Sequence, residues 1–268
     1  MAKPRAFHVA DLPGVAPTAL FVFAGLYAPI LTLVIYSFNA APSVATWDGF
    51  TFDWYVKAWN NDAVMNAAAN SLIVATLAAI LSTGLATLAA LGTTRRPAFF
   101  GITAIYAAIN QPLMVPEIVT AVALLIVVAA IKAATGYAGL GYLVVAHTAF
   151  CIPFAYLPIR ARLEGMDLTL ETAAADLYAS PWQSFRFVTL PQLAPGILAG
   201  WMLAFVTSLD DVVITEFIKS PGQDTLPTYM LGQLRRAMTP DINALSAALL
   251  GLTLVLLSGF FLLSRRKS

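Results

Sequence analysis

The chain is poor in everything a water-facing surface is built from. Of its 268 residues only 11% are charged, against 59% hydrophobic. Soluble domains carry about 25% charged residues, so a folded domain bathed in water is excluded. Cysteine occurs once, at Cys151, which excludes a disulfide framework and a Cys-rich metal site. That cysteine lies in an apolar run, where a small packed side chain is the simple expectation. Histidine occurs only at His8 and His147, far apart in sequence and suggesting no site. A formal net charge of +1 excludes a strongly basic nucleic-acid binder. No Gly-x-x-x-x-Gly-Lys-Ser/Thr loop is present, so the chain carries no P-loop for a nucleotide. No polar stretch exceeds about 35 residues, and neither a short-period repeat nor a low-complexity tract interrupts the chain.

Long apolar runs are what remains. A transmembrane helix needs about 20 mostly apolar residues. Six runs qualify, roughly 17–38, 68–92, 99–131, 141–160, 193–218 and 242–263. They predict an all-α polytopic membrane protein with six transmembrane helices. The third run is too long for one simple span, and Pro112 and Pro116 predict a kink or an interfacial turn within it. The first run exceeds the roughly 7–15 apolar residues of a signal peptide, so it reads as an uncleaved anchor despite the small residues Ala40 and Ala41.

The cations predict the orientation. Lys3, Arg5, Arg95, Arg96, Arg160, Arg162, Arg186, Arg265, Arg266 and Lys267 fall on one side. Lys57, Lys132, Lys219, Arg235 and Arg236 fall on the other. Both termini and the loop 161–192 are therefore expected to be cytoplasmic. The expected organisation is a cytoplasmic segment 1–16, a membrane domain 17–264 containing that loop, and a cytoplasmic tail 265–268. On the other side, residues 39–66 carry Trp47, Trp54, Tyr55 and Trp59, which suit a segment at the membrane interface.

The loop between the fourth and fifth spans has its own pattern. Leu168 to Leu177 reads as a short helix rich in Ala173, Ala174 and Ala175, strong helix formers. Ser180 is a natural N-cap for a second turn, with Pro181 at its first helical position. An ordinary amphipathic loop helix would account for this composition alone.

Within LETAAADLYASPWQSFRFVTLP, residues 170–191, Ala173, Ala174, Val188, Leu190 and Pro191 stand at the pattern positions of a known loop. The segment resembles the cytoplasmic coupling loop of ABC importer permeases. Thr172 departs from the pattern where Glu is usual, with Glu171 one place early, and Tyr178 stands where Gly is usual. On a helix Glu171 points about 100° away from Thr172. Residues 200–245 look like the fifth and sixth spans of spermidine/putrescine-type permeases. The matching runs are Ser208 to Asp211, Thr225 to Pro227, Arg235 or Arg236, Pro240 and Asn243-Ala244, with NSLIVA at 70–75 and VPEIV at 115–119. The likeness covers about residues 47–250.

The resemblance implies a type I importer permease fold in a bacterial inner membrane. It implies a sister permease subunit, two ATPase subunits and a periplasmic solute-binding protein as partners, besides membrane lipid. It implies no cofactor on this chain, since ATP and Mg would be held by the ATPase, and no catalytic chemistry. ATPase coupling would fall to Glu171, Thr172, Ala173, Ala174, Tyr178, Val188, Leu190 and Pro191.

Acidic residues within spans are costly and face polar cavities as a rule. Glu117, Asp210, Asp211 and Glu216 are the candidates for a substrate path. No Lys or Arg lies deep in the spans to pair with them, and an unpaired acidic lining suits a cationic solute. One straight helix cannot aim Asp210, Asp211 and Glu216 at one narrow path. The competing account has these carboxylates capping a broken helix or bonding backbone amides. An ion-coupled secondary transporter would use the same carboxylates as ion sites, but would be expected to show inverted repeats. An intramembrane enzyme would need a His-rich or Ser/His/Asp constellation, for which only His147 is available.

Overall fold

The computed structural model describes residues 14–42, 46–95, 97, 99–236 and 240–265. The expected terminal segments with Lys3, Arg5, His8, Arg266 and Lys267, together with Arg96, lie outside the described residues. Twelve α-helices follow one another among them: α1 Val15–Tyr36, α2 Asp53–Trp59, α3 Asp62–Thr94, α4 Ile102–Met114, α5 Glu117–Thr135, α6 Gly141–Glu164, α7 Thr169–Asp176, α8 Pro181–Ser184, α9 Leu190–Leu209, α10 Val213–Ile218, α11 Leu226–Leu234 and α12 Pro240–Arg265. A π-helical turn, Phe185–Thr189, joins α8 to α9. Six helical segments among the described residues are long and apolar enough to cross a membrane.

The six expected spans are present as helices, with two refinements. The long third run is two helices, broken where Val115 is extended and Pro116 stands at the N-cap of α5. Pro112 does not break the chain; it sits inside α4. The fifth run, expected over 193–218, is also two elements. Helix continues from Pro181 to Leu209, stops, and resumes as the short α10. The stop has a local cause: the carboxylate of Asp211 takes backbone amides that would otherwise seek carbonyls one turn back.

Two compact units partition the chain. One holds the described residues up to Asn61 together with Gly232–Leu252. In it, Asn39 is buried after α1. Its amide nitrogen donates to the Thr46 carbonyl at 2.6 Å, and its Oδ1 accepts from the amides of Ala41 and Asp48. Trp54 Nε1 donates to the Asn39 carbonyl at 2.7 Å. Phe38 packs against Phe50, Phe52 and Tyr55. Of the four aromatic residues read as an interfacial belt, Trp54 and Tyr55 thus serve a folded knot, while Trp47 and Trp59 are exposed.

The other unit holds Asp62–Leu231 and the chain from Thr253. Its centre is the mutual packing of α3, α6 and α9. Lipid offers no hydrophobic drive between helices, so close contact needs small side chains. On α3, Ala67, Ser71, Ala75, Ala78, Ser82, Ala86 and Ala90 recur every third or fourth residue, and all are buried. On α9, Gly196, Gly200 and Ala204 do the same. A Cβ on Gly196 would stand 2.7 Å from the Arg162 Cβ, and one on Gly200 2.7 Å from the Ala155 carbonyl oxygen. Hydrogen here is the only side chain that fits. Cys151 lies in this contact, fully buried, its Sγ donating to the Ala204 carbonyl at 3.4 Å. At 33 residues α3 is about 50 Å long, more than the roughly 30 Å hydrocarbon core.

Candidate functional site

The interruption between α9 and α10 separates two neighbouring carboxylates. Asp210 is the C-cap of α9; its amide donates to the Val206 carbonyl at 3.0 Å and its side chain is exposed. Asp211 turns the other way and is 5% exposed. Its Oδ1 accepts from the Ile214 amide at 3.2 Å. Its Oδ2 accepts from the Thr215 amide at 2.9 Å and the Thr215 hydroxyl at 2.8 Å. A buried carboxylate is tolerable when donors surround it in this way.

His147 of α6, with no exposed surface, completes the cluster. Its Nδ1 is 2.7 Å from the Ser208 hydroxyl and its Nε2 2.9 Å from the Thr215 hydroxyl. Thr215 has one hydroxyl hydrogen and gives it to Asp211, so it accepts at His147. In the neutral ring the hydrogen then sits on Nε2, and Nδ1 accepts from Ser208. Nε2 also lies 3.3 Å from Asp211 Oδ2. Glu117, half-buried in the first turn of α5, sits beside Asp211, and α5 packs on α10.

Glu216 behaves differently from the expectation of an acidic lining without basic partners. Its carboxylate is 2.6 Å from Lys219 Nζ, which also meets Asp224 at 2.7 Å. The pairing arises because Lys219 follows α10 by one residue, so its ammonium folds back over the same turn. Of the four carboxylates, Asp211 is engaged by two amides and the Thr215 hydroxyl, and Glu216 by an ammonium. Asp210 and Glu117 keep open surface, and among the described residues neither forms an ion pair with a Lys or Arg.

The coupling-loop residues form a second site. Helix α7 matches the expected short helix, and Leu168 and Leu177 flank it as caps. Asp167 Oδ1 accepts from the Thr169 amide at 2.9 Å, and the backbone and hydroxyl bonds of Thr169 hold this carboxylate below the usual range. Ser180 caps α8 in a capping box with Gln183, with Pro181 in the first turn. Thr172 is exposed, its hydroxyl donating to its own helix at the Leu168 carbonyl, 3.1 Å away. Ala173 is exposed and Ala174 half-buried. Glu171 points inward, meeting Arg95 Nη2 at 3.1 Å and the Thr189 hydroxyl at 2.9 Å. Val188 lies half-buried in the π-helical turn, and Leu190 and Pro191 open α9.

Tyr178, standing where glycine is usual, has φ of 61° and is the one described non-glycine residue with positive φ. Its amide donates to the Ala175 carbonyl at 2.9 Å, and the Ala179 amide to the Ala174 carbonyl at 3.0 Å. These two bonds make the Schellman ending of α7, whose penultimate position demands the left-handed conformation. The backbone keeps the shape that glycine would supply, and the ring is 97% exposed. Leu177, Trp182 and Phe187 are exposed with it.

Sequence reasoning missed His147, Arg95 and Thr189 as site residues. His147 carried a signal, being a lone imidazole in an apolar run. Arg95 was read only as an orientation charge, and nothing local marks Thr189.

Residues 82–266 match the family described as binding-protein-dependent transport system inner membrane component. The chain is 40% identical over 235 residues to the putrescine transport system permease protein PotI of Escherichia coli K12, covering 87% of this chain and 84% of the relative. It is 34% identical over 247 residues to the spermidine/putrescine transport system permease protein PotC of the same strain, covering 92% of each. Among solved structures, a bacterial ABC transporter importing the acidic polysaccharide alginate matches with TM-score 0.70 and 18% identity, over 93% of each chain. An inward-facing MetNI methionine ABC transporter matches with TM-score 0.64 and 16% identity, over 76% of this chain and 95% of that one.

Proposed function

The chain belongs to the family of binding-protein-dependent transport system inner membrane components, and from that membership we propose what it carries, with whom, and through which residues. It is a multi-pass permease subunit of an ABC importer, a transport component rather than an enzyme. The proposed solute is a small organic polycation of the polyamine type. The observation that carries this is an exposed intramembrane carboxylate, Asp210, at the interruption of a helix in a chain 40% identical to a putrescine permease. Glu117 is proposed as its weaker partner, while Asp211 and Glu216 shape the interruption from behind.

The proposed complex has this chain beside a sister permease, two ATPase subunits holding ATP and Mg, and a periplasmic binding protein. The termini and the 161–192 loop are placed on the cytoplasmic side, as the distribution of Lys and Arg favours. The ATPase grips α7 and α8, and the alanines of α7 permit close approach. ATP-driven closure moves the loop, opening the path toward the binding protein, and hydrolysis resets it.

Uptake of labelled putrescine by vesicles containing the whole importer tests the solute. Saturable uptake competed by spermidine is the expected result. Preference for an anionic solute would overturn it. Ala173→Glu tests the loop. It should leave the protein in the membrane and uncouple ATP hydrolysis from uptake. Solute-dependent hydrolysis at the wild-type level would remove the loop from the ATPase contact.

A further inference from the structure

In the loop that is proposed to meet the ATPase, one oxygen meets the ends of two core helices. Glu171 Oε1 receives Arg95 Nη2 at 3.1 Å and the Thr189 hydroxyl at 2.9 Å. Arg95 directly follows α3, and Thr189 directly precedes α9. One carboxylate on the first turn of α7 therefore joins the ends of two of the three core helices. Helix α7 also packs on α8 and the π-helical turn, and it is joined to the chain through two irregular connections, Gly165–Leu168 on the α6 side and Leu177–Ser180 on the α8 side. The Arg95 and Glu171 side chains are 21% and 27% exposed, so the pair is partly shielded from water. The Arg160–Glu164 pair on α6 is more open, at 34% and 53%. Shielded pairs are screened less by salt and hold position better than open ones.

We infer that Glu171 is a positioning residue for coupling. It makes α7 move as one body with the ends of α3 and α9. A push on the loop is then delivered to the core helices instead of being absorbed by swivelling at the two irregular connections. The inference rests on reading the 164–191 loop as the ATPase contact. It gives Glu171 a role directed into its own chain, whereas the exposed Thr172 and Ala173 face outward.

The test uses the assembled importer in proteoliposomes with its binding protein and putrescine. Solute moved per ATP hydrolysed, and stimulation of hydrolysis by loaded binding protein, are measured for Glu171→Gln, Arg95→Gln and the double variant. Each value is normalised to assembled complex, so that a loss of assembly does not enter the ratio. Each single variant should lower the ratio roughly threefold or more, and the double should be no worse than the poorer single, because one interaction is removed in all three. Thr189→Val should give a smaller loss in the same direction. A wild-type ratio in Glu171→Gln, or single effects that multiply in the double, would overturn the latch. Ala173→Glu run in parallel separates the two ideas. If it couples normally, the loop assignment itself falls. If it uncouples while Glu171→Gln does not, only the latch falls.

Discussion

At the scale of single residues, the two adjacent aspartates make opposite predictions. Asp211→Asn puts an amide NH₂ or a weaker acceptor against the amides of Ile214 and Thr215 and the Thr215 hydroxyl. Leaving buried donors unsatisfied costs about 1–3 kcal/mol. This variant should fall in membrane abundance while transport per molecule stays closer to normal. Asp210→Asn touches no such network. It should insert normally and lose uptake by about tenfold, since a charge-assisted hydrogen bond to a cation is worth roughly 1.4 kcal/mol or more. Quantitative blotting of membranes with vesicle uptake of putrescine distinguishes the pair. Equal abundance and equal uptake loss in both would refute the division of labour. Tyr178 makes a third case. A left-handed backbone costs a side-chain-bearing residue about 1–2 kcal/mol, and its amide and that of Ala179 close α7. Tyr178→Gly should slow hydrogen exchange at those two amides by up to about tenfold. Unchanged or faster exchange would show that the exposed ring itself steadies the ending.

At the scale of elements, the α6–α9 crossing depends on two hydrogens. Gly200→Ala would drive a Cβ to 2.7 Å from the Ala155 carbonyl oxygen, which belongs to helix backbone and cannot rotate aside. Overpacking of this kind costs typically about 1–3 kcal/mol. Gly84→Ala on α3 meets nothing within 4 Å and serves as the matched control. Thermal unfolding of the purified complex should drop for Gly200→Ala alone. The helices themselves were legible in the sequence because length and apolarity set a span, and because Ser180-Pro181 and the alanines of α7 announce their own structure. Pro116 likewise announced the break before Glu117. The break after Leu209 was not legible in the same way. Asp210 and Asp211 look alike in sequence. Their difference comes from Thr215 and from His147, which only the fold brings alongside. The inward turn of Glu171 was half legible: its offset from Thr172 was clear, but its partners lie on α3's end and in the π-helical turn.

At the scale of the whole molecule, the chain is a part whose chemistry is completed by others. It offers carboxylates, the loop proposed to meet the ATPase and small-residue helix contacts, and its sequence carries no P-loop. Vesicles holding this subunit without its ATPase partners should therefore show no concentrative putrescine uptake even under an imposed proton or sodium gradient. Gradient-driven accumulation by the lone chain would revive the reading of Glu117 and Asp210 as ion sites.

The helix that stops at Leu209 and resumes at Val213 also sets how the chain must sit among lipids. Acyl chains cannot hydrogen-bond, so a stretch of non-helical backbone turned toward them is intolerable by several kcal/mol per stranded group. Wherever that stretch lies at the depth of the acyl chains, the side of the molecule that displays Asp210 is the side that lipid cannot wet. It must look onto water or onto another polypeptide, and the annulus of lipid has to end before it.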